Sequence, residues 1–357
     1  MVQESGQTQL TVNSNETITI GIIGLGHWGL NILRNFINHP RIRVRYVCDS
    51  SEKALTRAAR LLPGECACVQ DAALIFEDQE VDAVAIVTPT TTHFELTRAA
   101  LLAGKHVYCE KPLTPDPEEC RILCELAASN DRKLMVGFTF LFNSGIEKVK
   151  ELLDSGKLGD IYYLTSVRTH LGLIREDVSS VWDLAPHDVS IMNYLLGASP
   201  VRVSAVGAAP LNSGKADIGF INLFYPGDII GQIHVSWLNS SKERLLKIIG
   251  SKARVEFDDL NLMEPVRFYQ KGIGFDDQVS TDFGGFKYLL RDGDIISPKV
   301  ELYEPLGRMT DAFVRLVLDN VKIVSDAGFA LEVTRVLAAA HASMLEHGAP
   351  KMVSAET

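Results

Sequence analysis

Two ionisable side chains stand out by their neighbours in the sequence. Lys111 sits in Glu110-Lys111-Pro112, directly after the run His106-Val107-Tyr108-Cys109. His187 follows Asp183 by four residues in Trp182-Asp183-Leu184-Ala185-Pro186-His187-Asp188. An imidazole is the natural proton acceptor near neutral pH, and an ammonium can orient and polarise an oxygen. Together they could take the proton from a hydroxyl. The proline after Lys111 removes the strong trans preference and allows a cis peptide. The alternatives are a surface lysine ahead of a turn proline and a histidine satisfied in the core or at a helix cap. On a regular helix the Asp183–His187 spacing puts both side chains on one face. Pro186, however, suits a first helical turn. That places Asp183 just before the helix, with the pair meeting through a turn. Asp183 could equally bind a substrate hydroxyl, and Asp188 could merely cap.

A second group of residues could hold a dinucleotide. Ile18-Thr19-Ile20-Gly21-Ile22-Ile23 leads straight into Gly24-x-Gly26-x-x-Gly29, and Leu30, Leu33, Phe36 and Ile37 then repeat at helical spacing. The order is strand, turn, helix. The first glycine lets the chain turn, the second lets backbone approach a pyrophosphate, and the third lets helix pack on strand. Helix N–H groups and the positive end of the dipole face that pyrophosphate. Arg43 to Asp49 reads as the next strand, and the Asp49 carboxylate can accept from the ribose hydroxyls of NAD. Ser50 and Ser51, with Lys53 or Arg57 in reach, leave NADP open. Glu110 reads either as a partner of Lys111 or as a group that positions ribose.

These residues must be positioned by two kinds of architecture. From 17 to 140, strands at 18–23, 43–48, 81–87, 106–109 and 133–137 alternate with helices at 50–62, 90–103 and 117–129. This specifies a doubly wound parallel sheet of α/β class, whose ligands sit beyond the carboxyl ends of the strands. The turns at Gly24–Gly29, Asp49, Thr88-Pro89 and Glu110-Lys111-Pro112 converge there. From 141 to 357, strand-like runs at 161–168, 201–206, 218–224, 229–237, 244–249, 253–257 and 266–270 predict an α+β domain with an open, mostly antiparallel sheet. A long loop is expected over Asp277–Val300, and terminal helices over Met309–Val321 and Leu331–His347. Residues 1–16 read as a flexible tail.

Length, composition and charge narrow the partners. With 357 residues, 46% apolar content and 22% charge, the chain is ordinary for two globular domains. A net charge of −10 argues against nucleic acid or anionic membrane as a main partner. The six cysteines show no paired C-x-x-C spacing; Cys66-x-Cys68 and Cys120-x-x-x-Cys124 could touch a metal, but free thiols are the expected reading. No long apolar run or N-terminal signal is present, so a cytoplasmic location is expected.

Gly24-x-Gly26-x-x-Gly29, Thr88-Pro89-x-x-x-His93, Glu110-Lys111-Pro112 and Trp182–Asp188, in that order, resemble the glucose–fructose oxidoreductase / inositol dehydrogenase family, written Gfo/Idh/MocA. The resemblance implies an NAD(P)-dependent sugar or polyol dehydrogenase with a Rossmann domain and an open sheet that forms subunit contacts. It implies that Lys111, His187 and Asp183 serve chemistry, and no metal is expected. It also places His27, Trp28, Ser50, Thr88, Pro89, His93, Glu110, Lys111 and Pro112 beside the cofactor. The Trp182–Asp188 form and the Tyr288–Asp294 segment are similar to members acting on nucleotide-linked or amino sugars, with oxidation at C3. Two alternatives share the fold: an NADPH-dependent ketosugar reductase and a non-catalytic dinucleotide-binding regulator. The expected assembly is a homo-oligomer, dimer or tetramer, joined through the second sheet, where Ile229, Ile233, Val235 and Trp237 form an apolar stripe of period two that a partner, or instead helices, could cover.

If Asp49 accepts from the adenosine ribose, NAD should bind more tightly than NADP and Asp49→Ala should narrow the gap. Equal affinities for the two cofactors in the unmutated protein, by fluorescence titration, would overturn the assignment.

Overall fold

The computed structural model describes residues 16–353 apart from 63, 173, 176–177, 212–213 and 276–287. The tail expected at 1–16 falls almost wholly outside them. Six parallel strands form the first sheet: β1 (Ile18–Ile23), β2 (Ile42–Cys48), β3 (Ala67–Val69), β4 (Ala83–Ile86), β5 (His106–Cys109) and β6 (Leu134–Val136). Their spatial order is β3-β2-β1-β4-β5-β6. The crossovers are made by α1 (His27–Asn38), α2 (Glu52–Ala59), α3 (Ala73–Glu77), α4 (His93–Leu102) and α5 (Pro117–Ser129). Strands covered on both faces read as unbroken apolar runs. Accordingly Ile18, Ile20 and Ile22 enter one core cluster while Ile23, next along β1, enters the other.

After α6 (Ser144–Asp154) the class changes. The second sheet uses β7 (Ile161–Leu171), β8 (Arg202–Ala208), β9 (Ile218–Phe224), β10 (Ile230–Ser236), β11 (Leu238–Gly250), β12 (Arg254–Asp258) and β13 (Val266–Tyr269). A short hairpin, β14 (Gly272–Phe275) with β15 (Tyr288–Arg291), stands apart, and β16 (Ile295–Ile296) and β17 (Lys351–Met352) extend the two edges. The order is β16-β13-β12-β11-β7-β10-β9-β8-β17, nine strands, with β10 and β7 parallel and the other neighbours antiparallel. The loop expected over Asp277–Val300 is therefore corrected in part. Its first residues, to 287, lie outside the described set, while Tyr288–Arg291 and Ile295–Ile296 pair as strands.

One face of this sheet is covered by α6, by α7 (Ser180–Leu196) and by α9 (Ala327–Leu345). Ile233, Val235 and Trp237 lie on the covered face, buried to 1% exposure or less, and Ile229 packs against the same core. The stripe expected to face a partner subunit therefore faces α7 of its own chain. The physical reason is that a strand offers two faces and the intramolecular helices take the more apolar one. The opposite face carries Tyr163, Phe220, Ile230 and Val206, each about half exposed.

The chain then returns to the first sheet. Helix α8 (Pro305–Leu318) lies inside the span expected for the second domain, yet Leu306, Met309, Phe313 and Val314 complete a core with β1, β2 and α1. Phe313 stacks on Phe36 and meets Tyr108 edge-on, with ring centroids 6.3 and 6.1 Å apart. Arg41 donates both guanidinium nitrogens to Asp319 at 2.9 and 3.0 Å, and Arg34 pairs with Glu304. Both contacts bridge the ends of α8 and the first sheet's layer.

Candidate active site

The glycine turn divides its labour. Gly24 has a φ of +95°, and a Cβ there would strike the carbonyl of Val87; a Cβ at Gly29 would strike the carbonyl of Gly24. Both glycines are required by the fold. Gly26 differs: a Cβ there meets nothing within 4 Å, because the position opens on a cavity of about 1610 Å³. Helix α1 starts at His27 with no side-chain cap and no acidic residue in its first turn, so its N-terminal donors and dipole are unopposed. A pyrophosphate fits that position. Asp49 accepts from Leu25 N–H at 2.7 Å and Ser51 N–H at 2.8 Å. It locks the turn to the end of β2 while lining the cavity with Ser50.

The cavity is also lined by His27, Trp28, Thr88, Pro89, Glu110, Lys111 and His187. Four of the expected residues stand behind its wall. Gly29 packs under the turn. His93, 1% exposed, has Nδ1 2.9 Å from the Pro112 carbonyl and Nε2 2.9 Å from the Thr88 carbonyl. It braces the loops after β4 and β5 rather than facing a ligand. Burial pushes its proton affinity down, against the pull of those carbonyls. Pro112 follows a cis peptide from Lys111. Asp183 is the fourth.

Glu110 is buried, and burial raises its pKa above the ordinary carboxylate value. Its Oε1 accepts from the Tyr108 hydroxyl at 2.6 Å and its Oε2 from the Lys111 N–H at 3.2 Å. The Trp28 side chain bonds it too. Glu110 thus holds its neighbours from beneath. The Lys111 ammonium donates to the backbone carbonyl of Asp183 at 2.9 Å and lies 3.6 Å from Asp183 Oδ1. Burial lowers its pKa, with Asp183 and Glu110 opposing.

Asp183 does not precede the helix. Ser179 caps α7, accepting from Trp182 N–H at 3.3 Å, and Pro186 lies inside it. Asp183 and His187 therefore stand one turn apart on the same helix. The propensity of proline for a first turn was outweighed by the upstream serine cap and tertiary packing. The Asp183 carboxylate is engaged by Arg175 at 3.1 Å as well as by Lys111. His187 Nδ1 is buried without a hydrogen-bond partner among the described residues. Burial first, then the charges of Lys111, Arg168 and Arg244, depress its pKa well below the usual histidine value. The imidazole is thus kept neutral and able to accept a proton.

Sequence reading missed Phe140, Asn143, Arg175, Arg244 and Asp259 on this wall. Asp259 accepts from Asn143 at 3.1 Å and Arg244 at 2.9 Å, a polar chain suited to a polyhydroxylated ligand. It also missed Arg168, while Asp188 caps nothing: its buried carboxylate accepts from Arg168 and Ser166. Strand pairing across long separations creates these groupings, and no local spacing marks them. Among the described residues there is no cluster of His, Cys, Asp and Glu able to hold a metal, no disulfide, and no helix able to cross a membrane.

Comparison with known proteins agrees with this geometry. Residues 18–138 match an oxidoreductase family with an NAD-binding Rossmann fold, and residues 146–256 match the GFO/IDH/MocA C-terminal domain. An inositol 2-dehydrogenase of Rhizobium meliloti is 29% identical over 57% of this chain and 62% of its own length. The match thus spans about three-fifths of that relative. A UDP-N-acetylglucosamine 3-dehydrogenase of Acidithiobacillus ferrooxidans is 29% identical over 71% of this chain and 77% of its own. The crystal structure of GenD2 from gentamicin A biosynthesis in complex with NAD superposes with a TM-score of 0.80 at 21% identity, covering 99% of this chain and 100% of that one. At that identity it shows the fold alone.

Gly26→Val should weaken NAD binding at least about tenfold with little change in melting temperature, because the branched side chain fills ligand space. Gly29→Val should lower the melting temperature instead. Fluorescence titration and thermal unfolding of the two variants check this, and equal effects on both readouts would overturn the division of roles.

Proposed function

The chain belongs to the GFO/IDH/MocA oxidoreductase family, and from that premise we propose that it oxidises a secondary hydroxyl of a sugar, with a nucleotide-linked or amino sugar oxidised at C3 as the favoured substrate. The observation that carries this reading is that Lys111 and His187 line the same cavity as the open Gly26 turn and Asp49. NAD, when bound, supplies the ring that accepts the hydride. His187 accepts the hydroxyl proton, and the carbon gives up its hydride as the C–O bond becomes a carbonyl. Lys111, aimed by the Asp183 carbonyl, donates to the reacting oxygen and opposes the charge that develops there. General acid–base help of this kind is worth about 10²–10⁴-fold. A neutral imidazole is the form that oxidation requires, and the same ring, once protonated, would serve the reverse reduction as acid. The cavity of about 1610 Å³ exceeds the roughly 300–1,000 Å³ usual for one small ligand, as a site for a dinucleotide and a sugar together requires. The similarity to the UDP-N-acetylglucosamine enzyme, over 71% of this chain, supports a nucleotide sugar, while a scyllo-inositol 2-dehydrogenase of Bacillus subtilis that matches 72% of it makes a cyclic polyol the second reading.

A homo-oligomer joined by the open face of the nine-stranded sheet belongs to the same proposal. Ile230 pairs with Tyr163 and with Phe224 across that face, and Phe220 stacks on His234 with centroids 4.4 Å apart. Large apolar patches of this kind are rare on monomers. Light scattering at micromolar concentration should give a dimer or tetramer, and Ile230→Asp should reduce it to the protomer. A protomer mass for the unmutated chain would refute this arrangement.

A screen of sugars and nucleotide sugars at the reduced-nicotinamide band identifies the substrate. On it, Lys111→Ala and His187→Ala should each lower kcat by orders of magnitude while NAD affinity stays within a few-fold, and Asp183→Asn should cost less. Because His187 acts unprotonated and its pKa is depressed, the acidic limb of kcat/KM should fall below pH 6.5. Lys111, whose pKa is lowered as well, should place the alkaline limb below pH 10.5. Near-normal turnover in both alanine variants would refute the mechanism and leave a binding protein.

A further inference from the structure

His187 has an unusual support for a proton acceptor. Its Nδ1 is buried and bonds to nothing among the described residues, so no carboxylate or carbonyl fixes that side of the ring. What touches it is Phe140, edge against the imidazole, with centroids 5.0 Å apart and planes at 64°. Behind Phe140 stands Arg168, its guanidinium carbon 4.3 Å from the ring centroid. Arg168 is itself pinned by Asp188, through Nε at 2.7 Å and a second nitrogen at 3.1 Å, and Ser166 donates to the same carboxylate at 2.6 Å. Arg168 is 6% exposed and Asp188 3%. A buried charge pair held this tightly has a fixed geometry. The guanidinium plane is therefore a rigid backstop for Phe140, and Phe140 for the imidazole.

We infer that Arg168, pinned by Asp188, is a positioning residue for His187, acting through Phe140 and through the charge it holds behind the ring. The chain Asp188–Arg168–Phe140–His187 replaces the hydrogen bond that usually orients such a histidine. Other charged groups face the same ring. Lys111 approaches from the end of β5 and Arg244 from β11, its guanidinium carbon 5.7 Å from the Phe140 centroid. Asp183 and Asp188 sit on α7 itself, but the first is engaged by Lys111 and Arg175 and the second by Arg168. Arg244 is paired with Asp259. Burial first, and then the charges of Lys111, Arg168 and Arg244, depress the proton affinity of the imidazole. The catalytic consequence rests on His187 being the proton acceptor, whereas the positioning itself does not.

The test needs neither cofactor nor substrate. Full-length protein labelled with ¹³C and ¹⁵N in histidine is titrated by NMR, and the His187 signal is identified by its loss in His187→Asn. In the unmutated protein the signal should stay in the neutral form well below pH 6.5. Arg168→Gln removes one neighbouring cation, so His187 should begin to titrate at least about one pH unit higher, a tenfold rise in proton affinity. Arg168→Lys keeps the charge and should restore the depressed titration, which a merely structural role would not predict. Phe140→Leu buries no new charge and should leave the titration low while mixing the two ring tautomers, seen as averaged ¹⁵N shifts. An unmoved titration in folded Arg168→Gln would overturn the inference. Should Arg168→Gln not fold, Phe140→Leu decides it: averaged ¹⁵N shifts support the positioning, and an unaltered His187 signal refutes it.

Discussion

The contact between the Lys111 ammonium and the Asp183 carbonyl is the constraint on which the site depends. A mostly buried ammonium must find acceptors, because leaving its donors unmade in a low-dielectric place is costly. Lys111 comes from the carboxyl end of a strand in the parallel sheet, and Asp183 from the first turns of a helix that covers the other sheet. One hydrogen bond across 72 positions of sequence therefore ties two differently built halves together at the site, beside the apolar core that they share. It also brings the Lys111 charge beside His187, where it helps to keep the imidazole unprotonated. Position and protonation are thus set by the same geometry.

The two halves contribute different physics. The parallel sheet supplies backbone: the glycine turn, the uncapped start of α1 and the Asp49 lock, all suited to an anionic, sequence-invariant group. The second sheet supplies side chains in mixed charge pairs, Asp259 with Arg244 and Asp188 with Arg168, arranged around Phe140. Backbone donors cannot be changed by substitution, whereas side chains on strands can. Such an arrangement lets the redox partner stay constant while the substrate wall varies.

What the sequence disclosed followed from how local each feature is. The glycines, Asp49, Lys111 before its proline and the Asp183–His187 spacing announce themselves within a few residues, and the structure gathers them on or just behind one cavity wall. The alternation of strands and helices over the first 120 residues likewise fixes a parallel sheet almost by itself. Arg168, Arg244 and Asp259 were silent because strand periodicity tells which face a residue takes but not which strand lies beside it. For Ile233 and Val235 the choice between a partner and the chain's own helices stayed open, since an apolar stripe states only that something covers it. At Pro186 a local preference pointed to a helix start that the Ser179 cap sets seven residues earlier.

The return of α8 to the first sheet has a consequence for how the molecule comes into being. Its Phe313 closes an aromatic cluster with Phe36 and Tyr108, residues translated some 200 to 280 positions before it. During synthesis, which runs N-terminus first, the nucleotide-binding half emerges early but waits with an open seam in its core until nearly the whole chain has left the ribosome. It is not a module that could be excised at the class change near 140 and expected to stand alone. Recombination between relatives would have to exchange α8 together with the first sheet, as two distant segments inherited as one unit.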